Sequence, residues 1–309
     1  MKHIIAFLLL AHLHSFGQEI VSEEVHLVHG DIDLPGTLSY PSVDHKVPLV
    51  LFIHGSGNID RNGNQGPLVQ GNYIKLLADS LNTKGFGFYR YDKRTSNPEN
   101  IKKQNSILLL DFVGDAKVAI EQFATDSRFS GIHLIGHSQG SLVAMLALDK
   151  NITSYISLAG AAKTIDHLII DQIKQQDSTL ASIATKHFQE LKAKDSIVNI
   201  NPFLLSLFAP QNQKFLKDWA SYQPTEIIKQ LKVPICILNG DKDLQVSIGE
   251  AQRLKAAIPD AVLHIIPKMN HILKHIENDA DNITSYQNPK FPISTTLISL
   301  LTDFITTHG

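Results

Sequence analysis

A nucleophilic serine is predicted at Ser138, because residues 136–140 read GHSQG and match the pattern G-x-S-x-G. The pattern lies between an apolar, strand-like run at 132–135 and an apolar, helix-like run that starts at 141. So tight a reversal from strand to helix strains the serine backbone and exposes its Oγ above the sheet, while the glycines leave room for the neighbouring elements. The start of the following helix favours a developing negative charge.

The serine needs a base, and the base needs a carboxylate to orient it. The apolar run at 234–238 leads into Asp241 and Asp243, and the apolar run at 261–266 leads into His271. Both positions follow predicted strands, and ligands of parallel sheets bind at the carboxyl ends of strands. We therefore predict His271 as the base, with Asp241 and Asp243 as two candidates for the acid, in the chain order serine, acid, histidine.

Neither a metal ion nor an organic cofactor is expected. His275 follows His271 at a spacing that a metal site can use, but the intervening residues 272–274 read ILK and lack the glutamate of an H-E-x-x-H site. Cys236 is the single cysteine, which excludes an intramolecular disulfide and a zinc site built from several cysteines. Its position within a strand-like run predicts a buried, apolar role.

Several segments resemble the α/β-hydrolase fold serine hydrolases, most of all the bacterial esterases and acyl hydrolases of the serine aminopeptidase-like branch. The sequence HGSG at 54–57 follows the apolar run LVLFI, as the oxyanion loop of that family does. NIDRNG at 58–63 resembles its G-S-G-x-x-D-R-x-G continuation, and YDKR at 91–94 resembles its D-K-R-G loop. Asn58 and Thr95 depart from the pattern, at positions where the branch often has proline and glycine.

The resemblance implies a catalytic triad of Ser138, Asp243 and His271. In the family pattern G-x-x-D the second aspartate is the usual acid, which corresponds to Asp243, and Asp241 is then expected to cap its loop. The implied reaction is hydrolysis of a carboxylic ester (EC 3.1.1) through an acyl-enzyme intermediate, with a small acyl compound as substrate. The alternatives are a short-peptide serine aminopeptidase, an acyl-CoA thioesterase, and a catalytically silent binding protein on the same fold.

The resemblance also implies an oxyanion hole made by the backbone N–H groups of Ser56 and Gln139. We expect residues 54–57, with His54, Gly55 and Gly57, to shape the loop that carries Ser56, and His137 to line the pocket beside the nucleophile. Asp60 and Arg61 are expected to pair with each other or with Asp92 and Arg94 beneath the site.

Strand-like and helix-like runs alternate along the chain, which predicts an α/β-hydrolase fold with a mostly parallel central sheet flanked by helices. Alternating residues at 21–38 predict two strands that form a hairpin. The further predicted strands are 47–54, 85–91, 132–136, 152–158, 233–238 and 261–266, and the predicted helices are 73–83, 107–124, 138–149, 248–258 and 294–306.

Residues 162–231 interrupt this alternation, because they contain helical spacing but no clear strand. A standard crossover needs far fewer residues, so we expect a helical cap over the sheet, with two ordinary crossover helices as the alternative. Its apolar residues either line the substrate pocket or pack the cap onto the sheet; they are Leu204, Leu205, Leu207, Phe208 and Trp219.

The chain begins with a basic start, an apolar run and small residues around Gly17, which is typical of a secretory signal peptide at 1–17; the alternatives are an N-terminal core strand and an uncleaved anchor. We therefore expect a mature domain at 18–309 in the periplasm or outside the cell, with no stable membrane insertion, since no other run is long enough to span a bilayer. The net charge of −2 carries no basic excess, which argues against a nucleic-acid partner.

Overall fold

A single mixed sheet lies at the centre of the protein. The computed structural model describes residues 19–309, whose eight strands follow the order β1-β2-β4-β3-β5-β6-β7-β8. Strands β3 to β8 pair in parallel, whereas β2 pairs antiparallel with both β1 and β4. The strands are β1 (Ile20–His29), β2 (Ile32–Pro41), β3 (Val47–Ile53), β4 (Gly87–Tyr91), β5 (Phe129–His137), β6 (Ile152–Leu158), β7 (Ile235–Gly240) and β8 (Val262–Ile266).

Helices cover both faces of the sheet, so its interior strands are apolar on both sides. Along β3 and β5, Leu51 and Leu134 belong to one buried cluster, and their chain neighbours Phe52 and Ile135 belong to the cluster on the opposite face. The helices are α1 (Tyr73–Asn82), α2 (Pro98–Lys102), α3 (Leu109–Phe123), α4 (Gln139–Ala147), α5 (Ile165–Gln176), α6 (Ser178–Lys194), α7 (Leu205–Phe208), α8 (Pro210–Trp219), α9 (Pro224–Ile228), α10 (Ile248–Ala257), α11 (Asp281–Thr284) and α12 (Thr295–His308).

Helices α5 to α9 all lie between β6 and β7, in the segment expected to form a cap. They contain an apolar cluster separate from the two clusters on the sheet. Phe208 is fully buried in this cluster, against Phe188 at 4.9 Å between ring centroids and His187 at 5.2 Å. We call α5–α9 the cap.

The predicted fold class is confirmed; the predicted strands and helices differ from the observed ones at their ends, and the short helices α2 and α11 were not predicted. The helix predicted from residue 107 begins at Leu109, because the Asp111 carboxylate accepts the Leu108 backbone N–H at 2.7 Å and caps the helix there. The predicted signal peptide lies outside the described residues and stays a prediction. Among residues 19–309, no helix combines the length and apolar character that crossing a bilayer requires.

Candidate active site

Ser138 occupies the sharp turn between β5 and α4, with φ 54° and ψ −121°. Few residues other than glycine adopt a positive φ, so the surrounding contacts must hold this conformation. The Ser138 backbone N–H donates to the Leu158 carbonyl at 2.9 Å, which ties the turn to β6. A Cβ at Gly140 would lie 2.2 Å from the Ile53 carbonyl oxygen, and one at Gly136 would lie 2.4 Å from the Gly140 carbonyl oxygen. Only glycine fits at either end of this turn.

His271 follows β8, and its Nδ1 donates to Asp243 Oδ2 at 2.8 Å. The Asp243 side chain is fully buried after β7, and its second oxygen accepts the backbone N–H groups of Gln245 and Val246, each at 2.8 Å. Those two bonds hold the carboxylate in place, and the carboxylate orients the imidazole. Because Asp243 binds Nδ1, the other ring nitrogen, Nε2, makes no bond to Asp243. Asp241 lies elsewhere, and its Oδ1 accepts the Lys268 backbone N–H at 2.7 Å.

Ser138 and His271 line the same cavity, together with Ser56. Gln139 is the first residue of α4, and Ser56 lies on the loop after β3. Within residues 19–309, neither backbone N–H makes a hydrogen bond, which leaves both available to an oxyanion near Ser138.

Lys93, for which the sequence predicted no role, contacts both the loop that carries Ser56 and the side chain of Gln139. Lys93 is only 5% exposed, and its ammonium donates to the Gly55 carbonyl at 2.6 Å and to Gln139 Oε1 at 2.8 Å. It also lies 4.4 Å from the centroid of the Phe112 ring. Burial lowers the pKa of Lys93 to about 7, against an opposing effect of Asp115. The signal in the sequence was the YDKR segment at 91–94, which places Lys93 two residues after the end of β4.

Among residues 19–309, Arg61 forms one of the ion pairs predicted for the neighbouring loops, and Asp60 forms none of them. Arg61 binds Asp92 through Nε at 3.1 Å and through a terminal nitrogen at 3.0 Å, one of the expected pairings. Asp60 instead accepts the backbone N–H groups of its own turn. Arg94 binds Asp115 on α3 through Nε at 2.7 Å and a terminal nitrogen at 2.6 Å, which joins the loop after β4 to that helix.

The remaining predicted loop residues divide between lining the site and supporting it. Gly55 and His137 line the cavity that contains Ser138, whereas His54 is buried against the edge of Tyr91, with ring centroids 4.8 Å apart. His137 Nε2 donates to the His271 carbonyl at 2.8 Å, so its buried Nδ1 carries no proton and has no partner among residues 19–309. Burial lowers the pKa of His137 to about 3, which keeps it neutral. Gly57 has φ 101°, and a Cβ there would meet the Gln65 side chain.

Two cavities meet at Ser138. The larger, of about 270 Å³, extends beneath the cap and is lined mainly by apolar side chains, among them Leu142 and Trp219. The smaller, of about 80 Å³, contains His271 and ends against Tyr73. Ser56, Ser138 and Gln245 line both cavities.

No cluster of three or more histidine, cysteine, aspartate or glutamate side chains suited to a metal ion occurs in residues 19–309. His275 contacts Glu277, with 3.2 Å between its Nε2 and Glu277 Oε2. Cys236 is buried within β7, and burial raises the pKa of its thiol to about 12.

The chain is similar in sequence to a known protein family and to a curated esterase. Residues 69–227 match the family described as serine aminopeptidase, S33. Esterase EstD of Thermotoga maritima is 28% identical over 219 residues, which cover 69% of this chain and 51% of EstD. The chain thus spans about half the length of the curated relative it matches.

Solved structures share the fold at low sequence identity. Est1E of Butyrivibrio proteoclasticus has 16% identity and a TM-score of 0.56, with 92% of this chain and 96% of Est1E covered. The Pyrococcus furiosus esterase Pf2001 has 14% identity and a TM-score of 0.59, with 94% and 93% covered. The Pyrococcus horikoshii acylaminoacyl peptidase has 14% identity and a TM-score of 0.58, with 94% and 42% covered. Since the family match spans just over half of the residues and the structural neighbours share the sheet and its helices, the chain belongs to the S33 serine aminopeptidase family of the α/β-hydrolase fold.

Proposed function

We propose that this protein is a serine hydrolase that cleaves carboxylic esters through an acyl-enzyme intermediate. The observation that carries the proposal is the arrangement at one edge of the sheet. There, the strained turn presents Ser138 to the cavity that contains His271, whose imidazole is held by the buried carboxylate of Asp243.

In the proposed reaction, Ser138 Oγ attacks the ester carbonyl and His271 Nε2 accepts its proton. The carbonyl oxygen becomes an anion that the backbone N–H groups of Ser56 and Gln139 bind. Asp243 holds the imidazole tautomer and stabilises the imidazolium. His271 then returns the proton to the alkoxide, so that an alcohol leaves. A water molecule, deprotonated by His271, attacks the acyl-enzyme and releases the carboxylic acid.

The charge of the cavities favours esters over the substrates of an aminopeptidase. An aminopeptidase must bind the α-ammonium group of its substrate, and a buried cation needs an anionic partner. The described residues that line the two cavities include neither aspartate nor glutamate, whereas the larger cavity contains Lys163. EstD and the solved neighbour Pf2001 are named esterases, which is consistent with this preference.

A fluorophosphonate probe and a small substrate panel test the proposal. We expect the folded protein to be phosphonylated at Ser138, and we expect it to hydrolyse ethyl acetate faster than an alanine anilide or acetyl-CoA. Ser138→Ala should abolish both labelling and hydrolysis, with its fold checked by circular dichroism. Absence of labelling in the wild type would favour a binding protein, and faster anilide cleavage would favour a peptidase.

A further inference from the structure

The two cavities that meet at Ser138 differ in size and in the catalytic groups they contain. His271 lines only the smaller cavity, whereas Gln139 lines only the larger one. This asymmetry distinguishes the two halves of an ester. The inference below rests on the proposed function, because it uses His271 as the acid that protonates the leaving group.

The leaving oxygen must lie within hydrogen-bonding distance of the group that protonates it. In the tetrahedral intermediate, one substituent of the former carbonyl carbon is the oxyanion and another is the alkoxide, which must point to His271. The alcohol half therefore extends into the smaller cavity. The remaining substituent, the acyl chain, extends into the larger cavity beneath the cap.

Cavity volumes then set the size of each half. At about 30 Å³ for a water-sized group, about 80 Å³ holds two or three non-hydrogen atoms, and about 270 Å³ holds roughly nine. The larger cavity is also lined by side chains suited to a hydrocarbon, including Leu142, Ile169 and Leu207. The buried side chains of Tyr73 and Ile272 form part of the wall of the smaller cavity.

We propose that the substrates are esters of medium-length apolar acids with compact alcohols, the acid in the cavity beneath the cap and the alcohol beside His271. Isomeric esters isolate this preference, because ethyl hexanoate and hexyl acetate have the same atoms and nearly the same hydrophobicity. We expect ethyl hexanoate to have the higher kcat/KM by about tenfold or more, measured by acid release in a pH-stat.

A variant that fills the larger cavity tests the assignment independently. Ile169→Trp adds bulk beneath the cap and should lower kcat/KM for ethyl hexanoate about tenfold, while ethyl acetate changes less than about twofold. Gln175→Trp is the matched control, because Gln175 is an exposed residue of the same helix α5 and lies outside both cavities. It should leave both substrates unchanged.

Each outcome has one meaning. Equal rates for the two isomers, or faster hydrolysis of hexyl acetate, would overturn the cavity assignment while the ester hydrolase itself stands. Hydrolysis of no ester, together with no phosphonylation of Ser138, would overturn the proposed function and this assignment with it.

A second inference rests on separate contacts, those of Lys93. The Gly55 carbonyl that accepts from Lys93 belongs to the same peptide unit as the Ser56 N–H. A lysine donor on that carbonyl, most strongly in its protonated form, polarises the peptide and strengthens its N–H as a donor at the other end. The second bond of Lys93, to the Gln139 side chain, reaches the residue that supplies the other N–H.

We infer that Lys93 is a positioning residue, which joins the loop after β3 to the start of α4 and so fixes the spacing of the two oxyanion donors. The charged and titratable groups that face it are Asp115 on α3 and His54 on the loop after β3. Burial, with Lys93 nearby, lowers the pKa of His54 to about 3, so His54 stays neutral and does not replace the lysine.

Lys93→Met removes the donors and keeps the length of the side chain. We expect kcat for ethyl acetate to fall about ten- to a hundredfold with KM changed by less than about threefold, since one oxyanion donor contributes about a hundredfold or more. A trifluoromethyl ketone, which forms a tetrahedral oxyanion on the serine, should lose the same factor in affinity. Binding of the product acetate should not change.

A folded Lys93→Met protein with unchanged kcat would overturn this role. So would equal losses for the ketone and for acetate, which would indicate a general structural defect. Should Lys93→Met fail to fold, Gln139→Leu removes one of the two bonds and keeps the backbone N–H. It should lower kcat by a smaller factor, about three- to tenfold, and an unchanged kcat in that variant would contradict the inference.

Discussion

The sheet edge that carries Ser138 is held together by hydrogen bonds between buried polar groups, whereas the cap above it is held together by apolar packing. At the sheet edge, buried polar groups such as Asp243 and Lys93 are held by hydrogen bonds of 2.6–2.8 Å. In the cap, apolar side chains around Phe208 form a cluster of their own and leave half-buried residues such as Ile169 facing the cavity.

This difference separates the chemistry from the selection of substrate. Hydrogen bonds set directions, which a proton transfer and an oxyanion require. Apolar packing sets the volume of the cavity, and that volume discriminates between acyl chains that differ by one methylene group. Changes at the sheet edge should therefore act on kcat for every ester, whereas changes in the cap should act on long acyl chains alone.

The largest effect is expected at the acid. Asp243→Asn keeps the shape of the side chain but offers an amide where the carboxylate stabilised the imidazolium, so kcat should fall about 10³- to 10⁴-fold for ethyl acetate and ethyl hexanoate alike. Steady-state kinetics on both esters measure it.

Asp241→Asn on the same loop is the matched control. Asp241 is exposed and accepts one backbone N–H, and such a bond contributes about 1 kcal/mol or less, so activity should stay within about threefold. A comparable loss in both variants would remove the distinction between the two aspartates.

The next effect concerns the stability of the cap. Phe208→Ala leaves a cavity in the apolar cluster and should lower the free energy of unfolding by about 3–5 kcal/mol, measured by urea denaturation. Phe203→Ala, at an 85% exposed residue of the same cap, should change it by less than about 0.5 kcal/mol.

Phe208→Ala should also spare the chemistry if the two regions are separate. The rate of Ser138 phosphonylation by a small fluorophosphonate should stay near the wild-type value below the unfolding transition. A loss as large as that of Lys93→Met would show that the cap helps to hold the catalytic groups.

Lys93 predicts a pH dependence of stability at the sheet edge. Its folded pKa of about 7 lies below the ordinary lysine value of 10.5, so the unfolded chain binds more protons between these values and stability rises with pH. The cost of burying the charge is complete below pH 7 and fades towards pH 10. From pH 6 to 9, the wild type should gain on the order of 2 kcal/mol over Lys93→Met.

The measurement is the difference between the urea unfolding curves of the two proteins at each pH. Lys274, whose pKa burial lowers to about 8, contributes in the same direction to both and cancels in that difference. Parallel pH profiles for the two proteins would mean that Lys93 stays charged in the folded state over this pH range, and that burial does not lower its pKa.

The sheet edge was the more predictable of the two regions. The turn around Ser138 is a local pattern, because Gly136 and Gly140 are dictated by contacts within a few residues and with the adjacent strand. The acid and base follow from the rule that parallel strands end at one edge, which brings the segments after β7 and β8 together. Local patterns and topology therefore selected Ser138 and His271 and narrowed the acid to Asp241 or Asp243, and the family resemblance chose Asp243.

Contacts between distant segments could not be predicted from the sequence. Lys93 reaches Gln139 across 46 residues, and Arg94 reaches Asp115 on a helix that no motif connects to it. In the cap, Leu207 and Trp219 line the larger cavity while Leu204 and Phe208 pack inward, although the four share one apolar character. The packing of α5–α9 decides which side chain points where.

The smallest effect separates these cap residues by function. Trp219 is half-buried at the wall of the larger cavity, so Trp219→Ala should lower kcat/KM for ethyl hexanoate about three- to tenfold through lost apolar contact. The same variant should leave ethyl acetate unchanged, because its acyl group does not reach that wall. Leu205→Ala, at a residue of α7 that is 52% exposed and outside both cavities, is the control and should change neither rate. If Trp219→Ala lowers kcat/KM equally for both esters, then Trp219 affects the catalytic groups as well as the acyl chain. The separation of catalysis at the sheet edge from substrate selection by the cap would then not hold at this residue.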